Sequence, residues 1–187
     1  MAKKLFDIIL ALLIGLIISP IFLLIYLFIF IVDKGPALYW SKRVGKDNKL
    51  FLMPKFKTMK STTPQIATHL LENPQSYLIF GGKLLRKASL DEIPQLWSIL
   101  KGDMSFVGPR PALFNQDDLI ELRSKKGIHH LTPGLTGLAQ INGRDEISIE
   151  EKVKLDEEYL KNSSFFYDLK IIFQTGVRVL NQKDISH

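Results

Sequence analysis

From Ile8 to Val32 the chain runs for 25 residues without a charge, IILALLIGLIISPIFLLIYLFIFIV. Nothing else in the sequence restricts the fold as much. About 20 apolar residues suffice to cross a bilayer core, whereas a soluble surface helix of that length needs a polar face. A cleaved signal peptide is the rival reading, because Lys3 and Lys4 resemble a basic leader. Signal peptides, however, carry an apolar region of ~7–15 residues followed by a small-residue cleavage site. This stretch is longer, and no such site follows Val32.

Whether the segment crosses the membrane is a separate question. Ser19-Pro20 lies at its middle. Pro20 cannot donate a hydrogen bond to the carbonyl of Leu16, so a kink is expected there. Basic residues flank both ends, Lys3 and Lys4 before and Lys34, Lys42 and Arg43 after. Positive charge favours the cytoplasmic face, so both flanks ask for the same side. A hairpin that enters and leaves one leaflet satisfies them; a kinked spanning helix is the alternative, since proline is tolerated in such helices.

The remainder is long enough for one domain with its own core. With no cysteine there are no disulfides, thiolate metal sites or cysteine nucleophiles. A formal charge of +6 and a pI near 9.4 point to an anionic partner. Residues 34–60 concentrate that charge, with eight Lys or Arg, one Asp, and aromatics that include Tyr39 and Trp40. Juxtamembrane Lys and Arg attract anionic headgroups. The alternation in KLFLMPKFKTM predicts short extended segments, with Pro54 confining any strand to an edge. Helices are expected from Pro64, over 116–126 closed by Gly127, over 149–161 opened by the Ser148-x-x-Glu151 capping box, and over 165–181. The last carries Phe165, Leu169, Ile172, Phe173, Val177 and Leu180 on one side, read as a core face, with a face lying on the membrane surface as the alternative.

The stretch SLDEIPQLWSIL, Ser89 to Leu100, sets Asp91 and Glu92 side by side ahead of a helix. Ile93, Leu96, Trp97 and Leu100 follow i, i+3, i+4, i+7, the spacing of one buried face. Ser89-x-x-Glu92 mimics a capping box, but a helix begun at Ser89 would require a hydrogen bond that Pro94 cannot donate. Glu92 is therefore not read as a simple capping partner. Two acids at a helix start complement its dipole, which is the plain structural account. An ionised Asp can also attack phosphorus, and a neighbouring carboxylate can hold a divalent metal.

The following segments favour the chemical account. In GDMSFVGPRP two prolines flank Arg110, and a guanidinium on a rigid loop suits a phosphate. TPGLTGLAQINGR offers Gln140, Asn142 and Arg144 in a loop too polar for a core. Asp156 falls inside the apolar stripe of Ile149, Val153 and Leu160, where a carboxylate needs a partner, either a structural arginine or a functional ligand. No P-loop, dinucleotide fingerprint or zinc-protease motif occurs.

Together KFKTM, LRKASLDEIPQLWSILKGDMSFVGPRP, TPGLTGLAQINGR and LDEEYLKN resemble the bacterial sugar transferases, the monotopic phosphoglycosyl transferases that begin glycan assembly on polyprenol phosphate. The likeness covers nearly the whole chain. It implies an α+β fold, mainly helical with a few short strands and interfacial amphipathic helices. It divides the chain into a re-entrant membrane helix over 1–34, broken at Ser19-Pro20, and a cytoplasmic catalytic domain over 35–187. It implies Asp91 as nucleophile, Glu92 as ligand of a Mg2+ cofactor, and Lys55, Lys57, Arg86, Arg110, Gln140, Arg144 and Asp156 around the substrate. The implied reaction moves a sugar-1-phosphate, an N-acetylhexosamine derivative being the family-weighted choice, from a UDP-sugar to undecaprenyl phosphate. UMP leaves, and a covalent aspartyl phosphosugar links the two steps. The implied setting is the bacterial inner membrane, with membrane lipids as partners, no nucleic acid, and a homo-oligomer compatible with the sequence. Thr132, Leu138 and Val44 depart from residues frequent in relatives, which bears on substrate identity. The rival from another class is a membrane-tethered module that binds anionic lipid or nucleic acid; such a surface has no use for the acid pair.

Overall fold

A computed structural model describes residues 2–64, 73–143 and 147–181. Helix α1 spans Ala2–Asp33 and continues through Pro20. The carbonyl of Leu16 would normally receive the amide of residue 20. Here the Ser19 hydroxyl donates to it instead, at 2.8 Å. The Ser-Pro pair thus removes one backbone bond and supplies its substitute, so the expected interruption is not a gap in the helix.

One stripe of α1 faces the rest of the protein over its whole length. Asp7, Ala11, Ile25 and Ile29 are buried, and Ile14, Ile18 and Phe22 are half-buried between them. Those positions recur at i+3 and i+4, one face of a helix. The other side is bare, with Leu16 and Ile17 each 75% exposed. Polar contacts hold both ends. Near the start, Lys3 pairs with Asp168, and the Phe106 amide donates to the Asp7 carboxylate at 3.3 Å. At the finish, Asp33 pairs with Lys57.

Strands β1 (Leu38–Val44) and β2 (Leu50–Phe56) form an antiparallel ribbon in which Trp40 faces Pro54. Both strands of a two-stranded ribbon are edges, so Pro54 removes no ladder bond the sheet requires. Asp47 and Asn48 turn the chain in the left-handed region, which these residue types tolerate. The short helix α2 (Gly82–Lys87) leads through Ser89 into a 3-10 turn over Leu90–Gln95 and then α3 (Leu96–Lys101). A second sheet pairs β3 (Ser105–Val107) in parallel with β4 (Gly134–Thr136), a contact the sequence pattern did not reveal. Gly108 and Gly134 make it possible: a Cβ on either would meet the opposite backbone at 2.3 Å or less. Helices α4 (Asp117–Lys125), α5 (Ile149–Asn162) and α6 (Phe165–Asn181) match their expected spans. The Ser148 hydroxyl accepts the Glu151 amide as the cap requires. The helix expected from Pro64 falls mostly outside the described residues.

Three apolar clusters carry the packing. One joins Ala11 to Ile99, Phe106, Tyr159 and Ile171; one joins Ile25 and Ile29 to Phe56, Ile79 and Leu85; one joins Leu119, Ile128 and Val153. Two expectations are corrected. Trp97 is 55% exposed, and the buried positions of that segment are Asp91, Glu92, Pro94, Gln95, Ser98 and Ile99. In α6, Phe173 is 72% exposed and Leu169 and Val177 also face outward, while Asp168 and Ile171 are buried. With Phe80, Leu84 and Phe166 also bare, apolar surface is far more extensive than a soluble monomer displays. These stripes meet an apolar medium or partner rather than the protein core.

Phe56 touches Phe22 of α1 with ring centroids 4.9 Å apart and is 1% exposed. Phe56→Ala is expected to cost about 3–5 kcal/mol through the cavity it leaves. Phe80→Ala, at a bare position, is expected to change stability by about 0.5 kcal/mol or less. Denaturant unfolding in detergent, followed by tryptophan fluorescence, measures both.

Candidate active site

Ser89 adopts a left-handed conformation, φ 53°, uncommon for a residue with a side chain. It turns the chain between α2 and the 3-10 turn, so that Arg86 from one and Asp91 and Glu92 from the other line the same cavity. The Glu92 side chain makes no capping box. Its Oε1 accepts from Lys55 Nζ of β2 at 3.0 Å and from Arg110 Nη2 of the Pro109-Arg110-Pro111 loop at 2.8 Å. Three separate segments are thereby held on one oxygen atom. The Asp91 carboxylate is nearly buried and stands 4.0 Å from the same Lys55 ammonium.

The cavity has a volume of about 410 Å3. Among the described residues its lining carries nine Lys or Arg and two carboxylates, those of Asp91 and Glu92. That excess calls for an anion of several charges. Burial pushes the Lys55 ammonium below the usual lysine range, and Glu92 opposes the shift. Arg86 reaches the Met59 sulfur at 3.1 Å, and Lys57, also in the lining, is tied to Asp33 and Ser61. Gln140 begins a 3-10 turn after Ala139, and its buried amide nitrogen and oxygen have no hydrogen-bond partner among the described residues. Arg144 lies outside the described residues.

Asp156 does not line the cavity. It is 1% exposed, and its Oδ2 accepts from Arg123 Nε at 3.0 Å and Nη2 at 2.6 Å. Burial pushes its carboxyl upward while Arg123 pulls it down. Arg123 does reach the lining, and its Nη1 donates to the backbone carbonyl of Arg110 at 2.8 Å. The acid therefore acts through Arg123, which fixes the loop that presents Arg110. Sequence reading missed Arg123, although its position four residues after buried Leu119 places it on the inward face of α4. It also missed Arg43, whose Nη1 donates to the Pro111 carbonyl at 3.1 Å on the other flank of the same loop.

Magnesium is commonly held by one or two carboxylates with substrate phosphates and waters completing its octahedron. Adjacent Asp91 and Glu92 in a phosphate-sized cationic cavity fit that donor set. No group of three His, Cys, Asp or Glu suited to a closed protein cage occurs among the described residues.

The acid pair thus stands inside a cationic cavity, beside an apolar helix long enough to cross a membrane, an arrangement suited to a multiply charged ligand. The chain belongs to the bacterial sugar transferase family, whose profile matches residues 1–182. It is 38% identical to the exopolysaccharide production protein ExoY of Rhizobium meliloti, over 94% of this chain and 84% of that one. The undecaprenyl-phosphate galactose phosphotransferase of Salmonella typhimurium is 36% identical over 96% of this chain, which spans 40% of that protein. The UDP-glucose:undecaprenyl-phosphate glucose-1-phosphate transferase of Escherichia coli is 38% identical over 92% of this chain, which spans 39% of it. The reading as a pure lipid- or nucleic-acid-binding module gives way to that of a transferase.

Arg123→Met leaves Asp156 buried without its cation and is expected to cost about 3–5 kcal/mol. Pairing it with Asp156→Leu should restore most of that loss while leaving the Arg110 carbonyl unheld. Transferase activity of the double variant is expected to stay at least about tenfold down. Thermal unfolding and turnover on the same preparations separate the two roles; normal turnover in a stable double variant would make the brace purely structural.

Proposed function

We propose that this enzyme transfers a sugar-1-phosphate from a UDP-sugar to undecaprenyl phosphate and releases UMP. The observation that carries the reading is the adjacent Asp91 and Glu92, gathered with Lys55 and Arg110 in a cavity dominated by cations. The names of the Salmonella and Escherichia relatives support the donor and acceptor classes. Those names specify galactose and glucose; the choice of an N-acetylhexosamine for this chain rests on resemblance and belongs in a donor panel with both.

The arrangement suits two displacements at one phosphorus. Asp91 attacks the sugar-bearing phosphorus, the bond to the bridging oxygen breaks, and UMP departs with that electron pair. A phosphate oxygen of the acceptor then attacks the same phosphorus and returns Asp91 to its ionised form. An aspartate nucleophile divides the transfer in this way without needing a proton removed. Lys55 and Arg110 offset the diphosphate charge that would otherwise repel the attacking carboxylate. Mg2+, held by Glu92 and substrate oxygens, would withdraw further charge from the diphosphate.

The membrane arrangement we propose is re-entrant, with the catalytic domain on the cytoplasmic side of the bacterial inner membrane. Straight, α1 would be about 48 Å long at ~1.5 Å per residue, enough to part its ends across a bilayer. Instead Lys3 and Asp33 both pair with the same domain, which supports a shared side. A cysteine placed at Ala2 should resist a membrane-impermeant reagent added to intact cells; ready labelling from outside means a spanning helix.

For the chemistry, Asp91→Asn should abolish turnover with side-chain volume nearly unchanged, and Glu92→Gln should raise the magnesium requirement. Enzyme mixed with UDP-sugar alone should show a sugar-phosphate adduct on the peptide holding Asp91, discharged when acceptor is added. If rapid-quench samples never contain it and UMP release strictly requires acceptor, transfer is direct.

A further inference from the structure

A second cavity, of about 310 Å3, lies on the other side of the acid pair and shares Glu92, Arg110 and Gln140 with the first. Its character is different. Ile14 and Ile18 of α1 form one wall, and Ile172 and Val179 of α6 form the opposite one. It is an open cleft, and an apolar wall of that size is costly to leave in water without an apolar occupant. The few polar groups in its lining include Arg178 and a hydroxyl pair, Thr136 and Thr175, whose oxygens are 2.7 Å apart.

We propose that the cleft between α1 and α6 is the port for the acceptor, an isoprenoid phosphate whose chain lies against these two helices while its phosphate reaches Arg110 and Gln140. This rests on the two-step reading above. The donor nucleotide fits here poorly, because uracil, ribose and sugar would be buried against hydrocarbon with few hydrogen-bond partners. A phosphate with an apolar tail matches both parts of the cavity: Arg110 and Arg178 supply charge, and the isoleucines supply hydrocarbon. Ile14 and Ile18 belong to the apolar helix itself, so the chain can pass into the cleft along α1 without crossing water. The buried amide of Gln140, without a hydrogen-bond partner among the described residues, stands on the wall common to both cavities. There it can meet the phosphorus-bound oxygens from either side. Donor and acceptor thus approach one phosphorus through different openings: the acceptor oxygen bonds to it as the aspartyl oxygen leaves with its electron pair.

Thr175 lines the second cavity and not the first, and it can be changed in size or in polarity. In full-length enzyme in nanodiscs, Thr175→Phe fills the cleft and Thr175→Val keeps its volume. For Thr175→Phe, UMP release without acceptor should stay within about twofold of wild type, while KM for undecaprenyl phosphate rises about tenfold or more. Thr175→Val should stay near wild type in both. A folded Thr175→Phe enzyme with unchanged acceptor KM overturns the proposal. Should that variant fail to fold, a diazirine-bearing isoprenyl phosphate on wild-type enzyme decides. Crosslinks on residues 8–18 or 165–181 support the port, and crosslinks confined to the β1–β2 ribbon overturn it. Absence of any acceptor-free UMP release in wild type would instead sink the two-step reading, and the crosslinks would still report on the port.

Discussion

Everything in this molecule is arranged around a helix that cannot stay in water. Twenty-five uncharged residues demand an apolar medium, yet α1 also gives one stripe, from Asp7 to Ile29, to the protein. The domain is therefore held flush against the helix rather than hung from its end. The exposed Phe80, Leu84, Trp97, Phe166 and Phe173 belong to α2, α3, α6 and the segments beside them. The acid pair lies in the turn between α2 and α3, so the cationic cavity and the bare apolar side chains share the same short segment of chain.

The site itself is held against electrostatic cost. Nine cations around two carboxylates repel one another, and a domain selected for stability alone would disperse them. Glu92 relieves part of this by binding Lys55 and Arg110 through one oxygen. Asp156 relieves another part from behind, by holding Arg123 against the Arg110 loop. The lining still carries more cations than carboxylates among the described residues, and the proposed diphosphate would offset that excess on binding.

Local signals in the sequence were reliable where the cause was local. The Ser148 cap, the left-handed Gly127 after α4, and the failure of Glu92 to act as a cap partner all follow from backbone hydrogen bonding within a few residues. The pairing of Asp156 with an arginine was open in the sequence as one of two alternatives, and the structure gives it Arg123. Periodicity failed in a specific way. It marked Trp97, Leu169 and Phe173 as one-faced, which is right, but spacing does not say whether a face meets protein or lipid. The β3–β4 pair and the Lys3–Asp168 and Asp7–Phe106 contacts escaped notice because they join residues far apart in the chain. Asp7 was hidden further by its place at the edge of the uncharged run, where it reads as a flank rather than a buried anchor.

The proposed covalent intermediate explains why one set of cations can serve two anionic substrates. In a single displacement, diphosphate and acceptor phosphate would occupy the cavity together, and their mutual repulsion would have to be overcome at the reacting atom. Storing the sugar-phosphate on Asp91 lets UMP carry its charge away first. The same Lys55 and Arg110 then face two phosphates instead of three. Glu92, Arg110 and Gln140 border both cavities, so the residues that stabilise the first displacement are already in place for the second. An attacking carboxylate is well suited to this sequence, because it is a modest nucleophile and a good leaving group in turn. On the proposed mechanism the pairing of two acids on one short turn is tied to the apolar helix beside it: the acceptor would arrive in hydrocarbon and the donor in water, and a bond to Asp91 would spare them from having to arrive together.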